Sequence, residues 1–174
     1  MWLKLTTVVS GTIVSSVRGG VMFVRKELEV VAEHFRRAID EAKAEGQFDW
    51  KYESYHKDRM RKFPHGCCDD TCDLFCYYLA NQYNIVLQQI SGDYRKEGTR
   101  HNWLETTDGL IIDLTGDQFA GRRIMYAEPD DGFYHQMRDR KEVSSYCILN
   151  SARLKRDYEV IMQYMKGEGE DFVL

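Results

Sequence analysis

The 174-residue sequence has only two prolines, Pro64 and Pro129, and it contains no low-complexity tract and no repeat of solenoid length. Proline-rich linkers and repeat arrays are therefore excluded, and the length suits one folded domain. Hydrophobic residues make up 43% of the chain and charged residues 30%, which is typical of a globular protein and not of a disordered one.

An excess of positive charge is also lacking, since the formal net charge is −4 at pH 7. The bulk charge therefore gives no reason to expect nucleic acid or an anionic membrane surface as a partner.

Long apolar runs are missing as well. The stretch 2–23 is fairly apolar, but Lys4, Arg18 and two consecutive glycines interrupt it. It is too short and too broken to predict a membrane span, and no clean small-residue cleavage site marks it as a signal peptide. We interpret residues 1–23 as a β-rich or loosely ordered leader and residues 24–174 as a single domain.

The five cysteines do not have the pattern of a disulfide framework. Their number is odd, and four of them lie within ten residues: Cys67, Cys68, Cys72 and Cys76, with Cys147 far along the chain. A disulfide framework would spread its cysteines so that they close long loops. We therefore expect reduced thiols and a cytoplasmic location.

Hydrophobic periodicity predicts helices over residues 24–44, 69–83 and 150–166, the last with Asn150 or Ser151 as its cap. Strands are predicted over residues 84–91, 101–106, 110–115 and about 123–127. This order predicts an α+β fold in which helices cover a largely antiparallel sheet. We expect the segments 92–100 and 128–142 to be loops that border a cleft.

The two strands around Asp108-Gly109 contain the most informative pattern. With a three-residue loop that ends at Gly109, the glycine supplies the left-handed residue that such loops need. Alternation of side chains then places His101 and Asp113 on one face of the hairpin, diagonally across from each other. Diagonal neighbours lie roughly 7–8 Å apart, which an imidazole and a carboxylate can bridge. A loop of even length would put them on opposite faces.

A histidine oriented by an aspartate is the arrangement that activates a thiol nucleophile. Cys68 stands at the start of a predicted helix, where backbone N–H groups lower the pKa of a thiol and can bind an oxyanion. Asp69 and Asp70 would oppose that effect, so we expect them to cap the helix or to point away. The sequence therefore predicts a triad in which Cys68 is the nucleophile, His101 the base and Asp113 the orienting group.

Three segments resemble motifs of a single superfamily. Residues 63–71 (FPHGCCDDT) resemble the F-P-x-G-x-C segment that opens the nucleophile helix in small bacterial and phage proteins of the transglutaminase-like, papain-like superfamily. Residues 101–105 (HNWLE) look like their H-x-W-[LI]-E strand, and residues 113–119 (DLTGDQF) look like their D-[IL]-T-x-D-Q-F segment. The order Cys, His, Asp also agrees, and the resemblance covers residues 63–119.

The resemblance implies a papain-like or transglutaminase-like fold, in which a Cys-bearing helix packs on an antiparallel sheet that carries His and Asp. Helices near both ends of the chain would flank this unit. It also implies a cofactor-free hydrolase or acyltransferase that acts on amide bonds as a thiol protease, amidase, deamidase or transglutaminase. The charges and rings of residues 128–142 suit a peptide or protein substrate.

Two departures from the motifs leave roles open. Cys67 directly precedes Cys68 and is a second candidate for the nucleophile. Lys62 stands six residues before Cys68, where papain-like enzymes have the glutamine that binds the oxyanion. The other candidates for oxyanion binding or support are the backbone N–H groups at Cys68 and Asp69 and the side chains of Gln88, Gln89, Gln118, Trp103 and Cys67.

Two rival functions remain. Cys68, Cys72 and Cys76 share a helix face, but the outer two lie about 12 Å apart along the axis and cannot converge on one tetrahedral ion. Paired Cys-x-x-Cys motifs are absent too, so we expect no metal site. The second rival is a non-catalytic binding or regulatory protein on the same scaffold, with the aromatic and basic residues 50–62 as its partner surface.

Overall fold

The computed structural model describes residues 25–49 and 59–166. Within these ranges, three α-helices pack on a five-stranded antiparallel sheet, so the expected α+β class is confirmed. The helices are α1 (Arg25–Ala44), α2 (Cys68–Tyr83) and α3 (Ala152–Met165). The strands are β1 (Gln88–Tyr94), β2 (Thr99–Glu105), β3 (Leu110–Asp113), β4 (Met125–Pro129) and β5 (Arg138–Val143). The leader predicted for residues 1–23 lies outside the described residues.

The helix ends follow from local chemistry. The Ser151 side chain caps α3 by accepting a hydrogen bond from the backbone N–H of Leu154. Asn84 ends α2 in the left-handed conformation, with φ of 56°. In the described part of the chain, no helix has the length and apolar character needed to cross a membrane.

The hairpin of β2 and β3 has the predicted register. Leu104 pairs with Ile112, and the backbone of Thr106 donates to the carbonyl of Leu110 at 3.0 Å. Gly109 has φ of 84°, a left-handed conformation that disfavours other residues. The three-residue loop is therefore confirmed, and alternation puts the side chains of His101 and Asp113 on the same face of the sheet.

The sheet has the order β4-β3-β2-β1-β5, and its inner strands bury side chains on both faces. On one face, side chains such as Leu104 and Ile112 belong to the main core with the three helices. On the other face, Trp103 and Ile111 belong to a smaller core with residues from the segment that follows β4. The two faces of β2 thus meet different parts of the chain.

The bounds of one predicted strand were wrong, and one predicted loop contains a strand. The strand expected at residues 84–91 begins at Gln88 and continues to Tyr94, because Asn84 still belongs to the end of α2 and the polar residues 92–94 pair with β2. The loop expected at residues 128–142 contains β5, which pairs with β1 at the edge of the sheet. Its side chains are mostly exposed, so the sequence of β5 lacks the apolar alternation by which strands are recognised.

Candidate active site

His101 and Asp113 form a buried hydrogen-bonded pair. Nε2 of the imidazole lies 2.6 Å from Oδ2 of the carboxylate, and the two side chains are 0% and 1% exposed. Tyr134 donates its hydroxyl hydrogen to the same oxygen at 2.9 Å, and Thr115 donates from its backbone N–H and its hydroxyl to Oδ1, both at 3.0 Å. Burial alone would raise the pKa of Asp113, but the charge of His101 and these hydrogen bonds outweigh it and lower that pKa.

The imidazole of His101 is held between aromatic rings. Trp103 stacks on it with centroids 5.9 Å apart, and Phe119 meets it edge-on at 4.9 Å. Burial disfavours the imidazolium, but Asp113 and the hydrogen-bonded Cys68 thiol outweigh burial and raise the pKa of His101 to about 10. Since Nε2 is hydrogen-bonded to Asp113, Nδ1 is the imidazole nitrogen that can face the Cys68 thiol.

Cys68 is the first residue of α2, and its side chain lines a cavity of about 450 Å³. Gly66, with φ of 68°, makes the left-handed turn that leads into the helix. Nδ2 of Asn102 lies 3.9 Å from the Cys68 sulfur. The first N–H groups of α2 have no acceptor within the helix, so the thiol stands beside backbone donors and the partial positive charge of the helix end.

The second candidate thiol, Cys67, has different surroundings. It is fully buried, and burial raises the pKa of its thiol to about 12. Its carbonyl oxygen accepts hydrogen bonds from the backbone N–H and the hydroxyl of Thr71, at 2.8 and 2.9 Å. Cys67 does not line the cavity, whereas Cys68 meets both the cavity and the imidazole. The geometry therefore favours Cys68 over Cys67 as the nucleophile.

The carboxylates next to Cys68 are paired with arginines. Arg59 donates to Asp69 at 3.0 Å and lies 3.3 Å from Asp70. Arg153 of α3 donates to both carboxylate oxygens of Asp70 at 2.8 Å. These ion pairs offset the negative charge that would otherwise oppose thiolate formation. Arg59 also donates to the carbonyl of Gly66 at 2.9 Å, which ties it to the turn before α2.

Gln118 lies on the Nδ1 side of His101. Its Nε2 is 3.2 Å from the imidazole Nδ1 and donates to the carbonyl of Thr115 at 3.0 Å. Because the Thr115 carbonyl can only accept a hydrogen bond, the NH₂ group of the Gln118 amide must face that carbonyl and the imidazole Nδ1. Gln118 therefore contacts the nitrogen of the imidazole that faces Cys68 and supports the ring on that side.

The cavity lies between the start of α2 and the turn that joins β1 to β2. Its rim has charged side chains of both signs, including Arg59, Arg100 and Glu97. The expectation that residues 128–142 border this cleft was wrong. Phe133, Tyr134 and Met137 of that segment are buried against the sheet behind the His101 imidazole, because burial of apolar rings outweighs exposure at a rim.

Arg36 is an important residue that sequence reasoning missed. It is 6% exposed, and its guanidinium donates to the carbonyl of Leu114 at 2.7 Å and to both oxygens of Asp117 at 2.9 Å. The same guanidinium lies over the ring of Phe63 at 4.5 Å. Arg36 thus connects the segment after Asp113 with the segment before Cys68. The available signal was an arginine inside the apolar stripe of α1.

Asn102 was missed as well, although it directly follows His101. Alternation along β2 turns its side chain to the face of Leu104, which is the face that α2 covers. Sequence reasoning assigned it no role at the site.

Cys72, grouped with Cys68 in the metal hypothesis, is buried in the main core. Among the described residues, no cluster of three or more His, Cys, Asp or Glu side chains is arranged to hold a metal ion. Comparison with known proteins found no matching family model, no matching curated protein and no matching solved structure. Function is therefore inferred from the geometry of Cys68, His101 and Asp113.

Proposed function

We propose that this protein is a thiol-dependent acyl-transfer enzyme that acts on amide bonds through Cys68, His101 and Asp113 on a papain-like, transglutaminase-like scaffold. The observation that carries the proposal is the buried 2.6 Å contact between His101 and Asp113, with the Cys68 thiol on the opposite nitrogen and at the cavity wall. A carboxylate that fixes the imidazole so that it accepts a thiol proton is the requirement for this chemistry.

The reaction follows from these positions. Nδ1 of His101 takes the thiol proton, and the Cys68 thiolate adds to the substrate carbonyl carbon, so that the carbonyl π electrons move onto oxygen. The intermediate collapses when the C–N bond breaks, and the imidazolium gives its proton to the leaving amine. A thioester on Cys68 remains. Water resolves it in a hydrolase, and a second amine resolves it in a transferase.

The cavity supports a peptide or protein substrate. Its volume of about 450 Å³ accommodates a side chain with part of a backbone, and its charged rim suits a polar chain rather than a lipid or an apolar cofactor. The five cysteines are all free thiols, which fits a reducing cytoplasmic setting.

Alkylation of Cys68 by iodoacetamide, measured by mass spectrometry across pH 5–10, tests the proposal. We expect the wild-type thiol to react at pH 6 and His101→Ala to slow that reaction at least ten-fold, because the imidazole no longer takes the proton. Asp113→Asn should slow it less. His65→Ala is the matched control, since His65 is an exposed histidine that also lines the cavity.

Identical pH profiles for the wild type and His101→Ala would contradict the proposal. They would favour the alternative of a non-catalytic binding protein on the same scaffold.

A further inference from the structure

Two side chains from opposite faces of β2 meet the sulfur of Cys68. His101 approaches it from the face that carries Asp113, and Asn102 approaches it from the face that α2 covers. The Asn102 Nδ2 lies 3.9 Å from the sulfur, and the half-buried amide forms part of the cavity wall. An amide donor thus stands beside the thiol on the side away from the base.

A donor in this place has a chemical use. When a thiolate adds to a carbonyl carbon, the oxygen that becomes negative is attached to the same carbon as the sulfur. A donor 3.9 Å from the sulfur is within hydrogen-bond reach of that oxygen when the carbonyl group is oriented toward the donor. Hydrogen-bond donors that are already positioned where the negative charge develops stabilise the transition state more than the ground state.

The other amide at the site is placed differently. Nε2 of Gln118 donates to the Thr115 carbonyl and lies 3.2 Å from Nδ1 of His101, so this amide is held on the side of the base. Lys62, which occupies the position of the papain-like glutamine, is exposed and does not line the cavity. Asn102 is the amide that faces the thiol.

We propose that Asn102 is a catalytic residue that donates an N–H to the oxyanion formed when Cys68 attacks a carbonyl group, together with the first backbone N–H groups of α2. This inference rests on the proposed function, because it assumes that Cys68 is the nucleophile.

The test compares two reactions of the same thiol. With p-nitrophenyl acetate, the thiolate adds to the ester carbon and forms an oxyanion, which collapses to acetyl-Cys68 and releases p-nitrophenolate with the bonding electrons. With iodoacetamide, the thiolate displaces iodide in one step and no oxyanion forms. A group that binds the oxyanion affects only the first reaction, whereas a group that positions or activates the thiol affects both.

We expect Asn102→Leu, which keeps the size of the side chain but removes the donor, to slow acetylation of Cys68 by about 100-fold. Its alkylation by iodoacetamide should change by less than about two-fold. Asn81→Leu is the control, because Asn81 is an exposed asparagine on α2 that donates to the Tyr77 carbonyl of its own helix. Asn102→Ala serves as a second variant if the leucine impairs folding.

Unchanged acetylation in the Asn102 variants would overturn the inference. An equal loss of both reactions would also overturn it, since it would assign Asn102 a structural role. Failure of the proposed function is distinguishable, because His101→Ala would then leave both reactions of Cys68 at the wild-type rate.

Discussion

Tyr134 and His101 share one oxygen of Asp113. The Tyr134 hydroxyl donates to Oδ2 at 2.9 Å, and the imidazole Nε2 lies 2.6 Å from the same atom. Tyr134 belongs to the segment after β4, whose turn is held by hydrogen bonds from the backbone N–H groups of Gly132 and Tyr134 to the Asp130 carboxylate, at 2.8 and 3.2 Å. A segment whose sequence resembles a surface loop thus supplies one of the hydrogen bonds to the carboxylate that orients the base.

We expect Tyr134→Phe to lower the free energy of unfolding by about 1.5–3 kcal/mol, because the buried Asp113 carboxylate loses a donor. Urea denaturation at pH 7 measures this change. Tyr94→Phe is the control, since Tyr94 packs in the same aromatic cluster and its hydroxyl has no hydrogen-bond partner among the described residues. Equal losses for the two variants would show that the hydrogen bond to Asp113 contributes nothing.

Arg36→Met should lower the free energy of unfolding by about 3–5 kcal/mol, because it leaves the carboxylate of Asp117 and the carbonyl of Leu114 without their partner. Burial lowers the pKa of Arg36, but the hydrogen bonds to Asp117 and Asp40 outweigh it and raise that pKa, so the guanidinium stays charged. Thermal and urea unfolding measure the loss. The double variant with Asp117→Asn should recover part of it, and strict additivity of the two substitutions would contradict a direct interaction.

Gln118→Leu should increase the rate of Cys68 alkylation at pH 6. The NH₂ group of Gln118 lies 3.2 Å from Nδ1 of His101, where it can donate to the neutral imidazole but not to the imidazolium, so it opposes transfer of the thiol proton. Gln118→Glu should increase the rate further, because a carboxylate accepts from the protonated nitrogen. Slower alkylation in both variants would mean that Gln118 acts only by holding the ring in place.

Asp73 provides a pH-dependent prediction. Burial, together with the charges of Asp69 and Asp70, raises its pKa to about 7, against the hydrogen bond from the Tyr146 N–H. A carboxyl group whose pKa is higher in the folded than in the unfolded state destabilises the fold once it is ionised. Its contribution to stability therefore falls as the pH rises from about 4 through 7.

Asp73→Asn should consequently be more stable than the wild type at pH 8, with a smaller difference at pH 5. The amide oxygen can still accept from the Tyr146 N–H, so the substitution removes only the charge. Urea denaturation at the two pH values measures both differences. The same difference at pH 5 and pH 8 would contradict the raised pKa.

Local pattern in the sequence determined the parts of the site that lie within one element or one hairpin. Gly109 and the length of its loop set the register of β2 and β3, and the register alone places His101 and Asp113 on one face. Apolar spacing and Gly66 likewise identify the start of α2 near Cys68. Turn geometry and the periods of helices and strands are properties of neighbouring residues, so they can be derived without the rest of the chain.

Only the tertiary structure decided which thiol meets the imidazole, which amide faces that thiol and which residues complete the site. Cys67 and Cys68 differ by one position, and the packing of α2 on β2 separates them, with one in the core and the other at the cavity. Arg36 and Tyr134 reach the site from α1 and from the segment after β4. Contacts between elements so distant along the chain depend on how the elements pack, and no local period in the sequence encodes that arrangement.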